Sequence, residues 1–428
     1  ENFTYPPNMP VHPEPYLFNR KPEFPSFAID SEGNIYLSHF SYHQAPLGPG
    51  HLDEYYTVED GDICAVQFWC DNHMVGVVPI DSTHAFTPQI LKFSPHFDTL
   101  LQSRYVFQNN TVNRTYSNYL SLDKYNNLYY VDYISNSSQD EYVLSVDSLK
   151  HKYVNVETYN FQKGVLVQYN PDLEVSSVIS LDDSIIYENY YFHHSLNEFY
   201  DIAFDNDNDL LFISATTGRG VFGDTTSFFS VLQCQGHSLS RLKHDAFFLA
   251  FKIEADTLGF YSYGRVDSKI SSQNLLTFPV VHGNIAAKNN RLFLQSIYTG
   301  GIRFPKQTIE FSNWADASLG LTIFDYQGNV IGGEHYSSFG SGSRSGPILL
   351  IDGNLYLMNK LTSDATFGDI YTPSRGRFFS CIAKYTDPAF MKPYGPAGIH
   401  AVGDAPMSLS PNPATDRVQV SLPVSEPV

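Results

Sequence analysis

The sequence predicts an all-β chain assembled from a recurring pair of hairpins, and three observations carry that prediction. Aromatic residues make up 15% of the 428 positions, with 30 Tyr and 32 Phe, side chains that suit pleated, half-buried surfaces. No long i, i+3, i+4, i+7 apolar pattern runs through the chain, and 28 Gly and 25 Pro punctuate it throughout. Short apolar runs flank turns rich in Asn, Asp and Gly from one end to the other.

The clearest copy spans 199–266. Tyr200, Ile202 and Phe204 lead into the turn Asp205-Asn206-Asp207-Asn208-Asp209, and Leu210-Leu211-Phe212-Ile213 returns from it. After a polar excursion, Ala246 to Ile253 turns over Glu254-Ala255-Asp256 into Leu258 to Gly264. The same first hairpin recurs at 27–37 around Glu32-Gly33-Asn34, at 120–130 around Asp123 to Asn127, at 285–294 around Asn289-Asn290, and at 348–357 around Asp352-Gly353. Tyr36, Tyr129, Phe212, Phe293 and Tyr356 are the aromatics that follow these turns. A second hairpin follows each, its first strand ending at Lys92-Phe93, Gln168-Tyr169, Lys252-Ile253, Ile323-Phe324 or Lys384-Tyr385. Two hairpins per copy make a four-stranded antiparallel sheet, and radial repetition of such sheets is a β-propeller. The expectation is a single propeller over 26–395 with five four-stranded blades. Six or seven blades stay open, because 61–80 and 131–163 have room for further strands.

The flanks read differently. Residues 1–25 carry seven Pro and are expected to be extended. The run 396–407 reads as a linker. Between the two hairpins of each copy the connections look long and irregular, and Gly340 to Gly346 reads as a flexible join between blades. Insertions in a repeat array collect as loops and often form its binding face.

Composition excludes some functions. A net charge of −19 without a basic cluster is the opposite of a nucleic-acid footprint. No apolar run reaches the ~18 residues that cross a bilayer as a helix. An exported chain would have lost its signal peptide before Glu1. Of the four cysteines, Cys64 and Cys70 would sit roughly 20 Å apart on one straight strand, too far to bond. Cys234 falls in a connection and Cys381 in a buried strand. No C-x₂₋₄-C pair points to zinc.

Two resemblances enter here. The copies are similar to a bacterial β-propeller repeat of the form Ile-Ala-x-Asp-x-x-Gly-Asn-x-Tyr followed by Ala-Phe-x-x-Lys. Ile202-Ala203-Phe204-Asp205, Gly33-Asn34-Ile35-Tyr36 and Asp245 to Lys252 carry the likeness, which implies the fold and little about activity. Ser408-Leu409-Ser410-Pro411-Asn412-Pro413-Ala414-Thr415-Asp416 resembles the opening of the C-terminal sorting domain of type IX secretion. That resemblance implies that 408–428 is the truncated start of such a domain. It also implies a protein secreted from, or held on the outer surface of, a Gram-negative bacterium. Asp98-Thr99-Leu100, Asp147-Ser148-Leu149, Asp183-Ser184-Ile185 and Asp256-Thr257-Leu258 resemble an O-glycosylation acceptor of such bacteria.

Few residues suggest chemistry by themselves. Asp205, Asp207 and Asp209 alternate as in hard-cation loops and are candidate calcium ligands, although the Gly and Glu of an EF-hand are missing. His193, His194 and Glu198 have a ligand-like spacing, but their aromatic flanks favour an extended, structural role. No Gly-x-Ser-x-Gly elbow and no His-Glu-x-x-His occurs. The expected function is a monomeric binding or adhesion module for a glycan or an extracellular protein. Its face would be built from the insertions of the first three copies and loop aromatics such as Tyr55, Tyr56, Tyr187, Tyr190 and Tyr191. The alternative is a polysaccharide lyase or glycoside hydrolase working from the propeller funnel, which needs paired carboxylates or a His/Tyr pair.

Overall fold

The computed structural model describes residues 26–40, 52–59, 62–70, 73–79, 88–106, 114–115, 119–136, 142–146, 149–153, 161–186, 196–217, 229–239, 246–254, 257–268, 283–299, 301–303, 308–310, 317–338, 344–361, 364–367, 370–373, 379–386, 408–411 and 417–421. None of them is helical. The chain divides into two compact units, one of residues 1–112 with 143–151 and one of 113–142 with 152–428.

The first unit holds module 1. Its strands Phe27–Ile29, Ile35–Phe40, Pro88–Phe93 and Leu100–Tyr105 form a four-stranded antiparallel meander. The expected extra hairpin is present within its insertion: Asp62–Cys70 pairs with His73–Pro79 and also with Leu52–Glu59. Val75 and Val78 of that hairpin pack with Ile35, Leu37, Leu91 and Phe93.

The second unit holds four further modules. Module 2 is Tyr119–Leu122, Leu128–Asn136, Phe161–Tyr169 and Val175–Ser180. Module 3 is Leu196–Asp205, Leu210–Thr217, Ala246–Glu254 and Thr257–Arg265. Module 4 is Asn284–Lys288, Arg291–Thr299, Ala317–Phe324 and Val330–Ser338. In module 5, Arg344–Ile351, Asn354–Leu361 and Phe379–Thr386 are antiparallel, and Arg417–Ser421 adds in parallel to the last of them. Asp387-Pro388, the expected turn of that module, lies outside the described residues.

Modules 3 and 4 are buried on both faces, which explains their continuous apolar strands. In Ala246–Glu254, Phe247, Leu249 and Phe251 join a cluster with Tyr129, Val131 and Leu166 of module 2. The alternate Ala246, Phe248 and Ala250 join Ile285, Leu292, Leu294 and Phe324 of module 4. Module 4 in turn lays Phe293, Leu319 and Leu321 against Leu355, Leu357 and Ala383 of module 5. Burying one such Phe side chain contributes about 1.5–3 kcal/mol, so these interfaces dominate the unit's cohesion.

The insertions differ from expectation. The connections read as irregular contain strands, and those strands tie one module to the next. Asp182–Ile186, which follows the last strand of module 2, pairs with Phe229–Cys234 inside module 3. Asp267–Ser268, after module 3, pairs with Gly301–Arg303 inside module 4. The last strand of module 4 reaches Ala365–Phe367 inside module 5. The reason is local sequence: segments such as Phe229-Ser230-Val231-Leu232 are rich in the aromatic and branched residues that suit a strand. The Gly340 to Gly346 run is likewise part strand from Arg344, where a Cβ on Gly346 would stand 2.8 Å from the Met358 carbonyl oxygen. A glycine there permits close backbone approach, not a flexible join.

Candidate functional site

A meander puts its first and third connections at one end and its insertion at the other. The two ends have different chemistry.

At the turn end a short-range device repeats. In module 1 the Asp30 carboxylate accepts the backbone N–H of Glu32 at 3.0 Å and of Asn34 at 2.8 Å on Oδ1. Its Oδ2 takes the Asn34 amide at 2.9 Å and the Tyr36 hydroxyl at 3.2 Å. Gly33 supplies the left-handed residue, φ 87°. Module 2 repeats this at Asp123 with Tyr125 N–H, Asn127 N–H, the Asn127 amide and Tyr129 OH, at 2.8–3.0 Å. The second hairpin of module 4 has the same turn at Asp325, with Gln327, Gly328 and Asn329. Asn170 and Ser94 play the Asp role in modules 2 and 1. The repeat signature Asp-x-x-Gly-Asn-x-Tyr is therefore an Asx-type turn with a tyrosine latch. Burial raises the Asp30 pKa, but the donors of Asn34, Glu32 and Tyr36 outweigh it and hold the carboxyl below its ordinary value.

Module 3 departs from the pattern. Its turn is longer by one residue, so Phe212 stands opposite Ala203 as Tyr36 stands opposite Ala28. Phenylalanine has no hydroxyl to give Asp205. Tyr326, from the second hairpin of module 4, donates its hydroxyl to Asp205 Oδ2 instead, with its ring 4.7 Å from that of Phe212. Burial, then the Asp205 carboxylate, pushes the Tyr326 hydroxyl well above its ordinary pKa. Gly328 makes this approach feasible, since a Cβ there would strike the Tyr263 carbonyl.

The three candidate calcium ligands occupy this turn. Asp205 accepts Asp207 N–H at 3.1 Å, the Asn208 amide at 2.9 Å and the Tyr326 hydroxyl. Asp209 faces the other way, toward Lys124 at 2.8 Å and the Tyr125 hydroxyl at 3.1 Å of module 2. That Lys124 contact, chiefly, lowers the Asp209 pKa. Asp207 contributes the backbone N–H just described. Among the described residues no group of three or more His, Cys, Asp or Glu converges as metal ligands would. His193, His194, Tyr187, Tyr190 and Tyr191 lie outside the described residues, and Glu198, Tyr55 and Tyr56 fall in strands.

A second polar region lies between the sheets, toward the insertion end. Buried Ser214, Gln295, Ser296 and Asn359 follow the marker aromatics on the second strands of modules 3, 4 and 5. Ser214 Oγ donates to the Gly283 carbonyl, and Gln295 Nε2 donates to Asn359 Oδ1. Gln295 Oε1, Ser296 Oγ and Asn359 Nδ2 are left without protein partners, a costly state unless water or a ligand serves them. Asp201 joins this seam, accepting Ile285 N–H at 3.0 Å and the Asn284 amide at 3.3 Å. Burial pushes it up to about 6 despite those donors. Cys381, opposite Asn359 in the register, is pushed up to about 12 by burial and is a protonated thiol at neutral pH. Cys234 and Cys381 are both buried, and neither is in a disulfide. Sequence reading missed this seam. Single buried polar residues in apolar strands give no pattern until neighbouring sheets are stacked.

No protein-family model matches the chain, and no curated protein matches it. Among solved structures it is similar to an ulvan lyase of polysaccharide lyase family PL25 bound to -[GlcA(1-4)Rha3S]-. The identity is 11% and the TM-score 0.30, covering 82% of this chain and 68% of that one. A second structure of a PL25 ulvan lyase gives a TM-score of 0.29 over the same shares, also at 11% identity. At these scores the likeness assigns neither fold nor activity.

Proposed function

We propose that the chain is a five-bladed β-propeller, secreted or displayed at a bacterial surface, that binds a glycan or an extracellular protein through its insertion end. One observation carries this reading: the chain concentrates its extra sequence at one end of the modules and spends none at the other. At the turn end the Asp30, Asp123 and Asp325 carboxylates satisfy their own turns. The insertion end carries module-to-module strand pairs that give its surface a defined backbone. The packing of module 2 on 3, 3 on 4 and 4 on 5 supports the propeller, and the Pro411-Asn412-Pro413 segment supports export by type IX secretion.

The experiment is a binding screen against immobilised polysaccharides and host-surface proteins, comparing the intact chain with one lacking residues 142–153. That deletion removes a whole two-stranded ribbon, Tyr142–Val146 with Leu149–Tyr153. Binding should fall while cooperative melting persists. Undiminished binding would place the ligand elsewhere.

A second reading, polysaccharide cleavage, is tested by incubation with uronate-bearing polysaccharides, monitored for unsaturated or reducing ends; no product from any polymer would remove it.

A further inference from the structure

Away from the Asp205–Tyr326 latch at the turn end, one further carboxylate fastens the seam between modules 3 and 4. A β-bulge at Tyr200 shifts the register of Leu196–Asp205, so that Asp201 stands opposite Ser214. Both residues then face the first strand of module 4. Asp201 Oδ2 accepts the Ile285 N–H and the Asn284 amide, while Oδ1 takes the Ile202 N–H at 2.9 Å. Ser214 adds a parallel tie to the Gly283 carbonyl. The surroundings are otherwise apolar: Phe212, Phe248, Ile285 and Leu294 belong to the cluster that fills this joint. The polar groups facing Asp201 from the packed strands, Ser214 and Asn284, are both neutral. Asp205, the next carboxylate on its own strand, is held at the turn end by Tyr326. Lys288 of the opposing strand is exposed at that same end. No charged side chain among the described residues compensates Asp201.

We propose that Asp201 makes the joint between modules 3 and 4 a proton-sensitive clasp, firmer in mildly acidic surroundings and looser toward neutral pH. This rests on neither functional reading above. Burial disfavours the ionised form and pushes the group up to about 6 from an ordinary 3.8. Opening the joint lets water reach the carboxyl and returns it toward that ordinary value. The closed joint thus holds its proton more tightly than the open one. Between those two values each unit of rising pH favours opening by up to tenfold, and above the higher value the effect saturates. The pairing of Asp201 with a strand N–H makes the clasp directly readable.

Hydrogen exchange of the Ile285 amide, corrected for intrinsic chemistry, should be followed from pH 4 to pH 7.5. The Leu166 amide of module 2 serves as reference. Expected is an Ile285 protection that falls by up to about a hundredfold over this range, relative to Leu166. In Asp201→Asn the relative protection should be flat. Asn284→Ala, which removes one donor to the ionised form, should move the midpoint upward. A relative protection that rises with pH, or that does not change in the intact protein, overturns the proposal whether or not either variant folds. An equal slope in Asp201→Asn overturns it as well.

Discussion

Asp30 and Asp201 are both hydrogen-bonded aspartates in β-structure, and burial raises both, yet their net pKa shifts run in opposite directions. Asp30, in a tight turn, has two backbone N–H groups, an amide and a tyrosine hydroxyl aimed at it, and its pKa is lowered. Asp201, between two sheets, has donors too few to offset the apolar packing around it, and its pKa is raised. The difference teaches what each region is for. The turns at Asp30 and Asp123 use strong local donors and are self-sufficient. The seam between modules depends on neighbours and leaves polar atoms unserved.

The largest expected effect comes from breaking the turn end by shape. Gly328→Ala places a Cβ against the Tyr263 carbonyl at a residue with φ 93°. A loss of more than about 3 kcal/mol in chemical denaturation is expected. Next is Asp123→Ala, which strips four donors, including the Tyr129 hydroxyl buried in the core. It should cost about 2–4 kcal/mol at pH 7, since hydrogen bonds to charged groups contribute about 1.5–3 kcal/mol each but are not additive. Tyr326→Phe should cost about 1–3 kcal/mol by leaving Asp205 short of a donor. Phe212→Tyr on that background should recover part of the loss, as the hydroxyl returns from within the module. Failure to recover would mean that the longer turn of module 3 cannot use its own latch.

The smallest effect on stability is expected from the insertion end. Deleting 142–153 should change stability by less than about 1 kcal/mol, because loop-closure entropy varies only logarithmically with length. If that deletion unfolds the chain, the ribbon is structural and the contrast between the ends fails. The two regions also separate by pH. A lowered pKa stabilises the native state above the unfolded value near 3.9, and that contribution is lost as pH falls through the folded value. Asp30 predicts such acid loss at the turn end. The raised pKa of Asp201 gives the reverse: its contribution is full below about 4 and is lost as pH rises through about 6. Melting curves of Asp30→Asn and Asp201→Asn across pH 3–8 should differ from the intact chain in opposite senses.

Much of the fold was legible residue by residue. The Asn-, Asp- and Gly-rich turns, the marker aromatics and the apolar runs on both sides were placed correctly in the first hairpins of all five modules. Their interactions span no more than six residues, and such contacts are written in the sequence. The latch of module 3 was not legible, since Tyr326 reaches Asp205 across 121 positions. The strands within the insertions were underread, because short apolar segments bounded by polar residues resemble loops. The closing strand of module 5 was read as a separate segment. Its register with Phe379–Thr386 is parallel and set at a distance, which no hairpin turn announces.

All-β character, the position of the turns and the apolar runs that become strands are properties of the sequence alone. Those properties follow from backbone dihedral preferences and from the period of apolar residues, both local. Tertiary structure alone decided that Phe212 borrows a hydroxyl from another module and that Asp201 meets an edge N–H of the next sheet. It also decided which buried amides go without partners. Desolvation depends on everything packed around a group, and that packing exists only once the sheets have stacked.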